Sequence, residues 1–281
     1  MPASAPPRPD DAVVVASFDF PESQVLGELY AQALEGNGVP VRRELLLGPR
    51  ELVEPALEQG LVDVVPEYLG TALAYLGGEQ PDPADEGETR NRLAEAFEDR
   101  GMRLLDHAPA EDQNALVVTR GTSFRHGLGR ISDLSDVAGA FRFGGPPECP
   151  NRPFCLQGYE ERYDLSFERF VPLDSGGPLT VAALRAQEVD VGLLFSTDPH
   201  LTLEEFVELE DDRTLQPAEN VVPVVRDDVL RHWGDQVREP LDEVSAALTT
   251  DELRELNADV ILEGRTAQQA ARAWLADLAS A

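Results

Sequence analysis

Lysine is absent from this chain: all 23 basic residues are arginine, set against 53 Asp and Glu, for a formal net charge of -30 over 281 residues. The absence excludes a Schiff-base lysine and the phosphate-gripping lysine of a P-loop. Scarce positive charge argues against nucleic acid and against an anionic membrane surface, because both need clustered cations, and no nucleic-acid partner is expected. The acidity is scattered rather than blocked, as on solvated helix faces. High-GC coding produces such a composition, and a salt-rich habitat that screens self-repulsion also suits it. Cysteine is nearly as scarce, with only Cys149 and Cys155, which enclose Pro150-Asn151-Arg152-Pro153-Phe154. That spacing predicts a small disulfide and hence an oxidising compartment, with metal binding as the rival reading. The four histidines, His107, His126, His200 and His232, complete no zinc framework with the cysteines and sit in no H-E-x-x-H motif, and G-x-S-x-G is missing. The carboxylates are too numerous for one acid and base pair to stand out. No cofactor is expected, and no long apolar run crosses a membrane. Residues 1–11, rich in Pro and Ala, read as a disordered tether like the stub of a trimmed leader.

What is present is a repeat. Ala56 to Thr71 reads ALEQGLVDVVPEYLGT and returns as Ala183 to Asp198, ALRAQEVDVGLLFSTD. Placing Val62-Asp63-Val64 on Val189-Asp190-Val191 aligns Ala56-Leu57 with Ala183-Leu184 and puts Tyr68 opposite Phe195. Each copy reads as the end of an amphipathic helix, a short strand, and a polar turn carrying an aromatic ring and hydroxyls. Ligands of open α/β sheets bind at the carboxyl ends of strands, so Tyr68 and Phe195 make a candidate clamp; sealing the strand ends is the plainer alternative.

Around the repeat, the pattern predicts a strand over Val13 to Phe18, a helix from Val25 to Leu34, a strand over Val41 to Leu46, and a helix to Gln59. Pro66 is read as opening a helix through Leu76, followed by a polar loop over Asp82 to Gly87 and a helix from Glu88 to Arg100. Leu116 to Thr119 is a strand leaving the first half, Ser132 caps a short helix, Phe141 to Phe143 is a strand, and Leu156 to Tyr163 a helix. Leu173-Asp174-Ser175-Gly176-Gly177-Pro178 turns into another helix, whose N–H groups either hold an anion or merely follow the turn. Gln216 to Val225 crosses back, and three amphipathic helices over Asp235 to Leu248, Asp251 to Ile261 and Thr266 to Leu278 finish the chain. The βαβ rhythm and the length predict an α/β protein of two lobes: residues 12–115 with 219–281, and residues 116–218.

These residues resemble the type II periplasmic-binding-protein fold, in particular the substrate-binding proteins of quaternary-amine ABC importers for glycine betaine, carnitine and choline. Val62-Asp63-Val64-Val65-Pro66-Glu67-Tyr68-Leu69-Gly70-Thr71 is similar to the family's D-x-x-x-E-Y-x-G-T signature, and the likeness runs from Val13 to Leu278. Ser17 to Ser23, Ile131-Ser132-Asp133-Leu134, Ser196-Thr197-Asp198, Pro223 to Arg226 and Leu256-Asn257 support it. The resemblance implies two crossover strands serving as a hinge, and capture of a small cationic or zwitterionic metabolite in the inter-lobe cleft. It further implies handover to ABC permease subunits by a monomeric, extracytoplasmic, lipid-anchored protein without turnover. An enzyme or an effector-sensing domain on the same fold is the alternative.

Family members hold an ammonium head in an aromatic box and a carboxylate by basic and hydroxyl groups. By position the resemblance assigns Tyr68 and Thr71 to box and carboxylate, Arg152 to the carboxylate, and Phe195 to a box wall. An ordinary surface salt bridge is the alternative for Arg152. The sequence departs from the family at Phe18, where lysine is usual, and at Asn114 and Ala218, where box tyrosines are expected. With Asp19, Phe20, Gln113, Ser196, Thr197 and Glu219 nearby, the expected ligand is larger or more polar than glycine betaine, such as a betaine of an aromatic amino acid.

Overall fold

The computed structural model describes residues 12–77, 82–83 and 85–280. In chain order, β1 (Val13–Phe18), α1 (Pro21–Gly36), β2 (Val41–Gly48), α2 (Arg50–Glu58), β3 (Val64–Tyr68), α3 (Leu69–Tyr75), α4 (Glu86–Glu98) and β4 (Met102–Leu104) come first. They are followed by β5 (Asn114–Thr119), α5 (Arg120–His126), β6 (Arg142–Gly145), α6 (Leu156–Tyr163), β7 (Arg169–Pro172), α7 (Pro178–Arg185), β8 (Val191–Phe195) and β9 (Phe206–Glu208). The chain ends with β10 (Val221–Arg226), α8 (Asp227–Trp233), α9 (Asp235–Ala247), α10 (Thr250–Ile261) and α11 (Ala267–Leu278). The tether expected over residues 1–11 lies outside the described residues, as does part of the expected 82–87 loop.

Contacts divide the chain into two α/β units: the described residues within Met1–Pro81, Asp85–Glu111 and Glu219–Ala281, and those within Asp82–Ala84 and Asp112–Ala218. The first unit is built on a sheet of order β2-β1-β3-β10-β4. Strand β1 runs parallel to β2 and β3, and β10 is antiparallel to β3 and β4. Strands β1, β3 and β10 are buried along their whole lengths, which explains their unbroken apolar runs: both faces of the sheet are covered. In the second unit the order is β7-β6-β8-β5-β9, with β6 parallel to β7 and β8, and β5 antiparallel to β8 and β9. Along β5, Leu116 and Val118 enter one core cluster and Ala115 and Val117 another, the period-two alternation of a strand with two covered faces.

Three expectations are corrected. Pro66 opens no helix; it lies inside β3 opposite Pro223 of β10, and the helix starts at Leu69. Opposed prolines cost an antiparallel ladder nothing where the pair is non-hydrogen-bonded, since neither N–H is then needed between the two strands. Ser132 does not cap: the 3-10 turn Ile131–Asp136 begins after Arg130, whose N–H donates to Asp133 (2.8 Å), while Ser132 Oγ donates to Asp212 (2.6 Å). Among the described residues four helices, not three, follow β10, because the seven-residue α8 precedes the others; Val229, Leu230 and Trp233 pack half-buried against the core, a face too short to stand out as a helical period.

The repeat is real in three dimensions. Strands β3 and β8 are each five residues long and begin and end in the register read from sequence, at Val64 and Val191 and at Tyr68 and Phe195. Before each, the N–H groups of Leu61 and Val62 reach Ala56 O, as those of Glu188 and Val189 reach Ala183 O. The left-handed position of the turn falls on Gly60 (φ 72°) in one copy and Gln187 (φ 56°) in the other. Asp63 clasps Val14 through its backbone N–H and its carboxylate, and Asp190 clasps Arg142 of β6 in the same way. The aspartate of each V-D-V is thus a structural tie between strands.

Candidate functional site

In the first unit, the carboxyl ends of β1 and β3 bring together three aromatic rings. Phe18 and Phe20 stack at 6.1 Å between centroids, and Phe20 and Tyr68 lie 6.2 Å apart. Tyr68 Oη donates to Glu22 Oε1 (2.7 Å), and Asn257 Nδ2 donates to Glu22 Oε2 (2.6 Å), so α1 and α10 together fix the ring. Asp19 is exposed beside this row.

Next to the rings is a buried polar cluster. Arg50, the first residue of α2, places its guanidinium 5.1 Å from the centroid of Phe18. Its Nε and Nη2 fork onto both oxygens of Glu67 (2.8 and 2.7 Å), and Nη2 also donates to Thr71 Oγ1 (3.0 Å). Thr71 in turn donates its N–H (3.0 Å) and its hydroxyl (3.3 Å) to Glu219. Glu54 follows Arg50 by one helical turn and is buried, and neither of its oxygens has a hydrogen-bond partner among the described residues. Burial pushes the Glu219 carboxyl up to about 8, against the pull of Arg50 and of the Thr71 N–H. Burial, and next to it the Glu67 carboxylate, hold Glu54 well above the usual carboxylate range. Burial opposes the charge of Arg50, but Glu67 outweighs it and the guanidinium stays ionised.

Of the expected residues, Phe18, Phe20, Tyr68, Thr71 and Glu219 therefore gather in the first unit. Arg50, Glu54 and Glu67 are central to the cluster, and a reading of the sequence for pocket residues passes over them. One signal was available: Arg50 and Glu54 fall on the buried stripe of α2 with Val53 and Leu57.

The remaining candidates lie in the second unit. The disulfide Cys149–Cys155 forms, and Arg152 stands within its loop, donating its N–H to Cys149 O (3.1 Å). Asn114 Nδ2 donates to Phe154 O (2.9 Å), tying β5 to that loop, and Gln113 Nε2 donates to Pro217 O (2.8 Å). Ser196 and Thr197 donate their hydroxyls to Asp112 (3.2 and 3.0 Å). Phe195 packs on Gly176, where φ is +61° and an added Cβ would come within 2.7 Å of the ring, so both the turn and the ring need glycine there. The start of α7 takes no external anion: Asp174 already accepts from Leu179 N, Thr180 N and Thr180 Oγ1 (2.8 to 2.9 Å).

Paired α/β units of one topology, each closing its repeated strand on an aromatic residue beside polar groups, define a solute-binding protein. The chain belongs to the family of substrate-binding domains of ABC-type glycine betaine transport systems, whose profile matches residues 11–277. It is similar to the glycine betaine-binding protein YehZ of Escherichia coli strain K12, 27% identical over 97% of this chain and 92% of that protein. It is also similar to the ergothioneine transport permease/ergothioneine binding protein EgtU of Helicobacter pylori strain G27, 22% identical over 88% of this chain and 44% of that protein. A solved structure described as a glycine betaine/carnitine/choline ABC transporter shares the fold, with a TM-score of 0.73 at 22% identity, covering 94% of this chain and 98% of that one. The protein is thus the solute-binding component of an ABC importer, and its partners are a small-molecule ligand and permease subunits. No helix among the described residues is long and apolar enough to cross a membrane.

Proposed function

We propose that the protein captures a betaine-like zwitterion or cation larger than glycine betaine, such as a betaine of an aromatic amino acid, and releases it unchanged to the permease. The observation that carries this reading is the row Phe18, Phe20, Tyr68 ending on the Arg50, Thr71 and Glu219 cluster: ring faces for a cation or an aromatic body, polar groups beside them. Ring faces attract a cation that has no hydrogen bonds to give. Binding of glycine betaine by YehZ and of ergothioneine by EgtU, as their names state, brackets this range. In the second unit, Gln113, Asn114, Arg152, Phe195, Ser196 and Thr197 are the proposed contacts. We also place the mature protein outside the cytoplasm on a lipid anchor.

Calorimetry with choline, glycine betaine, carnitine and ergothioneine tests the ligand class, and proton NMR of the recovered ligand tests the absence of turnover. Ergothioneine is expected to bind more tightly than choline, and Phe20→Ala to weaken it. Tightest binding of a ligand with neither a cation nor a ring would overturn the reading.

A further inference from the structure

A guanidinium has five N–H donors, and in Arg50 the fork to Glu67 and the bond to Thr71 use three. The two on Nη1 find no acceptor among the described residues, although the residue is only 7% exposed and Nη1 is not sealed from solvent. Two further carboxyls feel its charge, those of Glu54 and Glu219, yet neither bonds to it. A strong donor pair thus stands open next to Phe18, at one end of the ring row. We propose that Arg50 holds the carboxylate of the ligand through Nη1, and that Glu67 is the positioning residue that aims the guanidinium. This rests on the ligand class proposed above, and it adds the residue that reads the acid.

The charges around the site agree. Four ionisable groups meet here, Arg50 and Glu54 from α2, Glu67 from β3, and Glu219 from the approach to β10; Glu58 adds a weaker field on Glu54, and Glu111 accepts the Glu219 N–H (3.1 Å). With Glu219 carrying its proton at neutral pH and Glu54 held well above the usual carboxylate range, the Arg50–Glu67 pair is balanced, and an incoming carboxylate meets two open N–H donors. Above pH about 8 Glu219 ionises and repels it. Affinity for an acid-bearing ligand should therefore fall through that range, whereas affinity for a cation without an acid should rise.

Choline and glycine betaine share one ammonium head and differ in alcohol against carboxylate, so the pair isolates the acid. In Arg50→Lys, which keeps a charge for Glu67 but loses the planar fork, glycine betaine should lose about tenfold in affinity and choline less than about threefold. Equal losses for both, or no loss for glycine betaine in a folded variant, would overturn the proposal. Should Arg50→Lys fail to fold, the double variant Arg50→Gln with Glu67→Gln, which leaves no stranded charge, decides by the same comparison. Acetate, titrated into protein labelled with 15N-arginine, gives a readout independent of the ligand class. A saturable shift of the Arg50 side-chain resonance, assigned by its loss in Arg50→Lys, supports the anchor even if none of the betaines binds; no shift refutes it even if they do.

Discussion

The two copies of the repeat are one scaffold with opposite interiors. In the register that sets Val64 on Val191, Arg50 of the first unit falls on Gly177, Glu54 on Val181 and Glu67 on Leu194. The tie of each V-D-V aspartate to its neighbouring strand is the same in both. A helix and strand that the second unit joins through Val181 and Leu194 are joined in the first through an ion pair, with the buried Glu54 carboxyl beside it. Buried ion pairs give little net stability over apolar packing, because desolvation cancels most of the attraction. The charged version therefore reads as a cost carried for binding, and the apolar copy shows what the same scaffold does without it.

The sharpest way to break the comparison is to swap interiors. Glu67→Leu alone strands the buried Arg50 charge and should cost about 3 to 5 kcal/mol in urea unfolding, whereas the triple variant Arg50→Met, Glu54→Val, Glu67→Leu should recover most of that and bind no acid-bearing ligand. If the triple variant is as unstable as the single one, the cluster is structural after all. Next is pH. Because the carboxyl of Glu219 titrates near 8 when folded and near the ordinary 4.5 when unfolded, the unfolded chain releases its proton first as pH rises. Its stabilising effect is complete below pH 4.5 and is lost as pH rises to about 8. Glu219→Gln should flatten the melting temperature across that window, and an unchanged slope would contradict the assignment.

A smaller effect belongs to the second unit alone. Opening its disulfide by Cys149→Ser with Cys155→Ser should cost about 2 kcal/mol, in line with the short loop, and thiol titration of the unfolded, unreduced wild type should find no free thiol. The two aromatic ends come last: Tyr68→Ala and Phe195→Ala should each weaken ligand binding by about 1 to 3 kcal/mol while leaving the fold intact. If affinity is unchanged in both, the rings only seal strand ends.

The repeat, the central strands and the disulfide were legible because each is a local pattern: a V-D-V with its aromatic partner four residues on, β-branched runs, two cysteines around a short loop. Pro66 misled because its tolerance comes from Pro223, far along the chain and opposite it in the sheet. The Arg50 cluster was illegible for a similar reason, since Arg50, Glu67, Thr71 and Glu219 are brought together by α2, β3, α3 and the approach to β10, and arginine is common here. What was open to reading was a charged pair within the apolar stripe of α2, a conflict between pattern and burial of the kind that marks functional sites.

In each sheet the inner antiparallel strand, β10 in the first unit and β5 in the second, follows directly on a stretch of chain belonging to the other unit. For the second unit this costs no time on the ribosome, because all its strands lie between Asn114 and Glu208. The first unit cannot seat β10 between β3 and β4 until Arg226 has been made, so four early-synthesised strands wait for a late-synthesised fifth. Birth order and spatial order are thus reversed: the unit in the middle of the chain is complete while the one that begins it still lacks a strand, and residues 112–218 are the natural segment to express as an autonomous fragment.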